Sequence, residues 1–257
     1  MNSVPNVLLL PTCLVDVFRP AVGFSAAALL ERAGCRVAVS RRITCCGQPA
    51  YNSGDRELAR QLARLVVEEC ESYDYVVIPS GSCAGMLRRH YSALLADDPQ
   101  WSSRARAVAD RTFELTSFLT DVRRMSRVEV EFPTSVTYHD SCSGLRELGI
   151  REQPRSLLRS IPGLTLTEMP QREVCCGFGG LFCVKYPDIS NRMVSDKSAA
   201  VAATGAKVLL GGDLGCLLNI AGKLSREGAA TEVRHVAEVL AGYLGEAPLC
   251  SGQEPQE

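Results

Sequence analysis

At 257 residues the chain is long enough to bury a sizeable core and to form one large or two medium domains. Its 28 basic and 29 acidic side chains leave a net charge of −1, which excludes a bulk electrostatic pull toward nucleic acid or a membrane surface; the scattered pairs Arg41-Arg42, Arg88-Arg89 and Arg123-Arg124 read as solvated faces. The longest apolar runs, such as Ala21 to Leu30, fall well short of the ~20 residues a membrane span needs, and the N-terminus lacks the basic segment of a secretory signal, so a soluble cytoplasmic protein is expected.

Strands alternate with helices along the chain. Asn6 to Leu10 reads as a buried strand, followed by a helix near Gly23 to Ala33 and a second strand from Arg36 to Ser40. Asp55 caps a helix whose expected buried face is Leu58, Leu62, Leu65 and Val66. Tyr75 to Ile78 is a third strand, a helix spans Ala84 to Leu95, and Thr112 to Leu119 is a short strand running into a helix. The charged stretch Arg123 to Phe132, closed by Pro133, reads as a linker. The same order then returns: strand at Ser135 to Tyr138, helix at Gln153 to Ser160, strand at Leu164 to Thr167, a helix capped by Asp188 and ended at Gly205, strand at Lys207 to Leu210, and strand into helix from Val233 to Leu240. This alternation predicts an α/β protein of two pseudo-symmetric repeats, each a small parallel sheet with flanking helices. The expected domains are 5–122 and 133–243, with 244–257 a disordered tail.

The cysteines carry the same repeat. Cys13, the pair Cys45-Cys46-Gly47 and Cys83 are followed 129, 130 and 133 residues later by Cys142, the pair Cys175-Cys176-Gly177 and Cys216. A period of this size means a duplicated domain, and thiols kept in both copies mean a duplicated site. Every repeated cysteine falls just past the C-terminal end of an expected strand, where parallel α/β sheets place their binding crevices. Twelve cysteines is a high count for a reducing compartment, where clustered thiols bind metal or do redox work more often than they cross-link. Four thiolates around one crevice match the ligand count of an iron–sulfur cluster. Zinc also takes four thiolates, but adjacent cysteines reach one small ion only with strain. A vicinal disulfide is strained as well.

These residues resemble the two cysteine-rich CCG domains shared by the heterodisulfide reductase B subunit and related iron–sulfur oxidoreductase subunits. The branch the chain resembles is the lactate utilization protein A family, small subunits of three-protein systems that oxidise L-lactate to pyruvate. Tyr138-His139-Asp140-Ser141-Cys142, Leu145 to Ile150, Cys175 to Gly180 and Ser80-Gly81-Ser82-Cys83 carry the resemblance, which covers residues about 5 to 243. It implies a subunit rather than a complete enzyme, with Cys13, Cys45, Cys46, Cys83, Cys142, Cys175, Cys176 and Cys216 as iron ligands. The fuller family pattern ends in Cys-x-x-Cys, and here Ser80 and Asp213 stand in those first positions. Four thiolates per half then fit one [4Fe–4S] cluster, with Ser80 and Asp213 as weak extra candidates. No Cys-x2-Cys-x2-Cys-x3-Cys-Pro run of a bacterial ferredoxin is present, so the resemblance implies a ferredoxin-domain-containing partner among the other subunits. Two further readings stay open: a cluster-based disulfide or quinone reductase subunit, and a zinc-stabilised scaffold or thiol sensor.

Among the neighbours, His139 and Asp140 are weak catalytic candidates, able to tune the centre or move protons, or simply to complete a strand end. His90 and His235 read as structural. Cys35, Cys70 and Cys183 read as small buried residues and Cys250 as incidental. Arg146 and Lys185 are as consistent with surface charge as with holding a carboxylate.

Overall fold

The structure, a computed structural model, describes residues 4–251. Strands β1 (Asn6–Leu9), β2 (Arg36–Val39), β3 (Tyr75–Ile78) and β4 (Thr112–Glu114) form one parallel sheet in the order β2-β1-β3-β4. Strands β5 (Ser135–His139), β6 (Thr165–Leu166), β7 (Val208–Gly211) and β8 (Glu232–His235) form a second, in the order β6-β5-β7-β8. The register makes the copies superposable residue by residue. Val7 pairs with Val37 and Tyr75, and Val136 pairs with Leu166 and Val208. The central strands are covered on both faces, so β1, β3 and β7 are largely apolar runs, with Val7, Leu8, Leu209 and Leu210 fully buried; β5 departs from this by burying Thr137 and His139.

Most expected elements lie where their periodicity put them, but two helices differ. Asp55 does cap the helix Arg56–Cys70, its carboxylate accepting from the Leu58 N–H at 3.1 Å. The buried face, however, is Ala59, Ala63, Val66, Val67 and Cys70, and Leu58 is exposed. Small residues let the helix lie close on the sheet, which turns the leucines to its flanks. Asp188 does not cap its helix: Pro187–Ala202 begins one residue earlier with proline, whose missing N–H is an orphan at that position anyway, and Tyr186 is the cap.

The two halves share one apolar core. It runs from Val22 and Leu29 on the helix Pro20–Arg32 to Val236 and Leu240 on the helix Val236–Ala241. Above it Arg19, nearly buried, donates two hydrogen bonds to Glu238 Oε1, at 2.9 and 2.7 Å. Residues 123–134 carry no helix or strand, yet they are packed: Val128 is buried, and Arg123 Nε donates to the Ala33 carbonyl. Part of the expected disordered tail is also packed. Leu249 is buried and donates its N–H to the Val233 carbonyl, because β8 leaves that edge of its sheet free; residues 252–257 lie outside the described residues. Among the described residues, no helix is long and apolar enough to cross a membrane.

Candidate metal centres

Each sheet delivers its four thiols from three adjacent strands. Cys13 opens the helix Cys13–Phe18 after β1, Cys45 and Cys46 lie in the loop after β2, and Cys83 sits in the first turn of the helix Gly81–Gly85 after β3. Cys142, Cys175-Cys176 and Cys216 take the same places after β5, β6 and β7. The order β2-β1-β3 means that the chain leaves β1 in one direction and returns on its other side. The crevice at the carboxyl ends of those strands is the topological switch point.

In both crevices the sulfurs form the same chain of contacts. Cys45 touches Cys13 and Cys46, and Cys46 touches Cys83 with 3.3 Å between the sulfurs; Cys175 touches Cys142 and Cys176, and Cys176 touches Cys216. That separation is well beyond the ~2.05 Å of a disulfide, and all eight cysteines are free. Gly47 and Gly177 follow the pairs at φ of 79° and 84°. This left-handed turn aims each glycine N–H at the first sulfur of the pair, 3.4 Å away in both halves. The second member is held by its carbonyl, which accepts from Tyr91 OH at 2.8 Å in the first half and from Asn219 Nδ2 at 2.9 Å in the second.

Hydrogen bonds from Cys13 and Cys46 draw the Cys45 thiol down to about 2, and those from Cys142 and Cys176 do the same to Cys175. The same contacts, with burial, push Cys13, Cys46, Cys142 and Cys176 up. Each set therefore accommodates one thiolate by sharing its neighbours' protons. Stripping the other protons from touching sulfurs requires positive charge at their centre, which is what a thiolate-bound metal group supplies. In number, type and convergence the donors fit such a group.

The walls of the two crevices differ. The first encloses a cavity of about 20 Å³ lined by Leu10, Ile43, Val66 and Ile78 beside Cys45, Cys46 and Cys83. The second contains His139, 1% exposed, with neither ring nitrogen hydrogen-bonded among the described residues. A ring nitrogen of His139 and the sulfurs of Cys176 and Cys216 all lie within 4.8 Å of one another. Burial, reinforced by Lys197, pulls His139 down to about 3, so its imidazole is neutral at pH 7. Lys197 is itself buried, and Nζ donates to the Gln171 and Arg172 carbonyls at 2.9 and 3.3 Å. Nothing in its helical neighbourhood in the sequence distinguishes it from an exposed lysine.

The remaining candidates have other partners. Asp140 is gripped by buried Arg155 through two hydrogen bonds of 2.8 Å, so it anchors the turn before Cys142. Ser80 and Asp213 meet each other rather than the thiols: Asp213 Oδ2 accepts from Ser80 Oγ at 3.2 Å and from the Ser82 N–H at 2.8 Å, joining the last cysteine loop of one half to that of the other. Ser80 Oγ also accepts from the Cys83 N–H. Cys35 and Cys70 are buried, Cys183 is half-buried with its thiol on the Gly180 carbonyl, and Cys250 is exposed. Arg146 is taken by the Glu173 carbonyl. His90 lies beside a cleft of about 290 Å³ between the halves, which also reaches Cys142 and Cys216, and its Nε2 is 3.3 Å from Glu147 Oε2.

The family model for the cysteine-rich CCG domain matches the chain twice, over residues 7–88 and 136–221. Lactate utilization protein A of Shouchella clausii is 47% identical over 235 residues, 91% of this chain and 98% of that one. Lactate utilization protein A of an Exiguobacterium species is 47% identical over 238 residues, 92% of this chain and 97% of its own. Among solved structures, a hypothetical protein from Helicobacter pylori superposes with a TM-score of 0.70 at 11% identity, over 95% of this chain and 50% of that chain, a likeness of fold alone.

Proposed function

From its membership of the cysteine-rich CCG family, and within it of the lactate utilization protein A family, we propose that this chain is the iron–sulfur electron-transfer subunit of a multi-protein oxidoreductase converting L-lactate to pyruvate. One [4Fe–4S] cluster per half would be held by Cys13, Cys45, Cys46 and Cys83 in residues 5–122, and by Cys142, Cys175, Cys176 and Cys216 in residues 133–243. The observation that carries this reading is the pair of matching four-thiol sets, all free and each converging on one crevice. When bound, such a cluster supplies one-electron transfer. The chain's own residues hold the sulfurs: Gly47 and Gly177 direct an N–H at the first sulfur of each pair, while Tyr91 and Asn219 fix the carbonyls behind the second. Arg155 and Asp140 lock the turn that presents Cys142. Further electron wiring falls to a cytoplasmic partner carrying ferredoxin-type clusters, because this chain has no such run of its own.

Anaerobic purification, or reconstitution with iron and sulfide, tests the assignment. A brown protein with about eight iron and eight sulfide and a reducible paramagnetic signal is expected, as two [4Fe–4S] clusters carry that load. Cys45→Ser and Cys175→Ser should each remove about half of the iron. A colourless protein holding zinc overturns the reading.

A further inference from the structure

We propose that the two centres are unequal, and that buried Lys197 and His139 give the second the higher reduction potential. This inference rests on the iron–sulfur reading above. Strand register makes Leu10 of the first half the counterpart of His139, since Val7 and Val136 hold the same place in their sheets. It likewise makes Ile78 the counterpart of Gly211. The glycines after the cysteine pairs align the next helix. A Cβ on Gly47 would meet the Ala59 carbonyl and Leu62, and one on Gly177 would meet the Ser190 carbonyl and Met193. Lys197 therefore stands where the first half has Val66.

The first centre is thus walled by Leu10, Val66 and Ile78, and the second by His139, Lys197 and Gly211. Adding an electron makes a cluster one unit more negative. Hydrogen bonds to its sulfurs and nearby positive charge stabilise that state and raise the potential, and both act strongly away from water. The His139 ring has no hydrogen-bond partner among the described residues and lies beside the Cys176 and Cys216 sulfurs. Buried Lys197 lies within electrostatic reach of Cys175, Cys176 and Cys216, whose charge favours its ammonium against burial. Two features oppose them. Cys176 and Cys216 are more buried than Cys46 and Cys83, which by itself lowers the potential. Asp213 adds negative charge beside Cys142 and Cys216, but its carboxylate accepts from the Ser80 hydroxyl and the Ser82 N–H, which offset part of that charge. Asp140 is neutralised by Arg155. A whole cation and a free donor on one side, against apolar side chains on the other, decide the sign.

The test is a potentiometric titration of the reconstituted full chain, followed by electron paramagnetic resonance, with Cys142→Ser identifying the second centre's signal. The second centre should titrate at the higher potential. Lys197→Met and His139→Leu should each lower it by at least tenfold in the reduction equilibrium, about 59 mV for one electron, and leave the first centre where it was. Lys197→Arg, which keeps the charge, should hold it. Equal potentials in the unaltered protein, or a second-centre potential unmoved by these substitutions, overturn the inference. Should Lys197→Met fail to fold, His139→Leu decides alone. A protein that takes up no iron at all refutes the underlying function instead.

Discussion

Glu114 and His235 end the last strand of their sheets at equivalent positions, one opposite Ile78 and the other opposite Gly211. Both are buried, and both cap the helix that follows: Glu114 accepts from the Ser117 N–H and His235 from the Ala237 N–H. Burial favours the uncharged form of whichever group is present. It pushes Glu114 up to about 7 and pulls His235 down to about 4. The duplication has therefore preserved a backbone task while exchanging the side chain that performs it. The carbonyls behind the cysteine pairs repeat the lesson, satisfied by a phenol in one half and an amide in the other. What stays identical is what four sulfurs require: the strand order, the glycine turn and its N–H. What drifted is the wall around them.

The sharpest break between the halves is the buried pair Arg155–Asp140, whose counterpart position in the first half is Pro11. Arg155→Met removes both hydrogen bonds to a buried carboxylate, leaving Asp140 only the more distant Arg172 at 3.8 Å, and is expected to cost about 3 kcal/mol in denaturant unfolding. Iron should be lost from the second centre before the first.

The two buried caps give opposite pH signatures. Glu114 has its folded pKa above the ordinary 4.5, so the folded state holds its proton longer, and stability from this group falls as pH rises from about 4.5 to about 7. Glu114→Gln should match the unaltered protein at low pH and exceed it by about 3 kcal/mol above pH ~7. His235 has its folded pKa below 6.5, so its stability is lost as pH falls from about 6.5 to about 4. His235→Asn, which keeps an acceptor for the cap, should match the unaltered protein above pH ~6.5, gain on it as pH falls to about 4, and hold that gain below. Unfolding curves across pH check both; parallel difference curves would mean that burial does not set the two shifts.

The smallest contrast lies at the glycine turns. Alanine in a left-handed conformation costs about 1–2 kcal/mol, and Gly47→Ala should cost no more, because its nearest neighbour is the Leu62 Cβ at 3.3 Å. Gly177→Ala should cost more, since its Cβ would lie 2.8 Å from the Ser190 carbonyl oxygen, which is backbone and cannot step aside. Equal losses of thermal stability would show that the second turn relaxes after all.

Residue order alone reveals the duplication, the succession of strands and helices, and the two sets of four thiols at strand ends. These are local or repetitive signals: apolar runs with a period, caps such as Asp55, and a rare residue recurring at a nearly constant offset. Tertiary structure alone decided which face of Arg56–Cys70 is buried, that Ser80 and Asp213 bind each other, and that Arg19 reaches Glu238 from the opposite half. It also decided that His139 lacks a hydrogen-bond partner among the described residues and that Lys197 is sealed inside, where an interchangeable-looking lysine becomes a buried charge. Such features depend on how closely elements far apart in the chain dock, and residue spacing along one element carries no record of that distance.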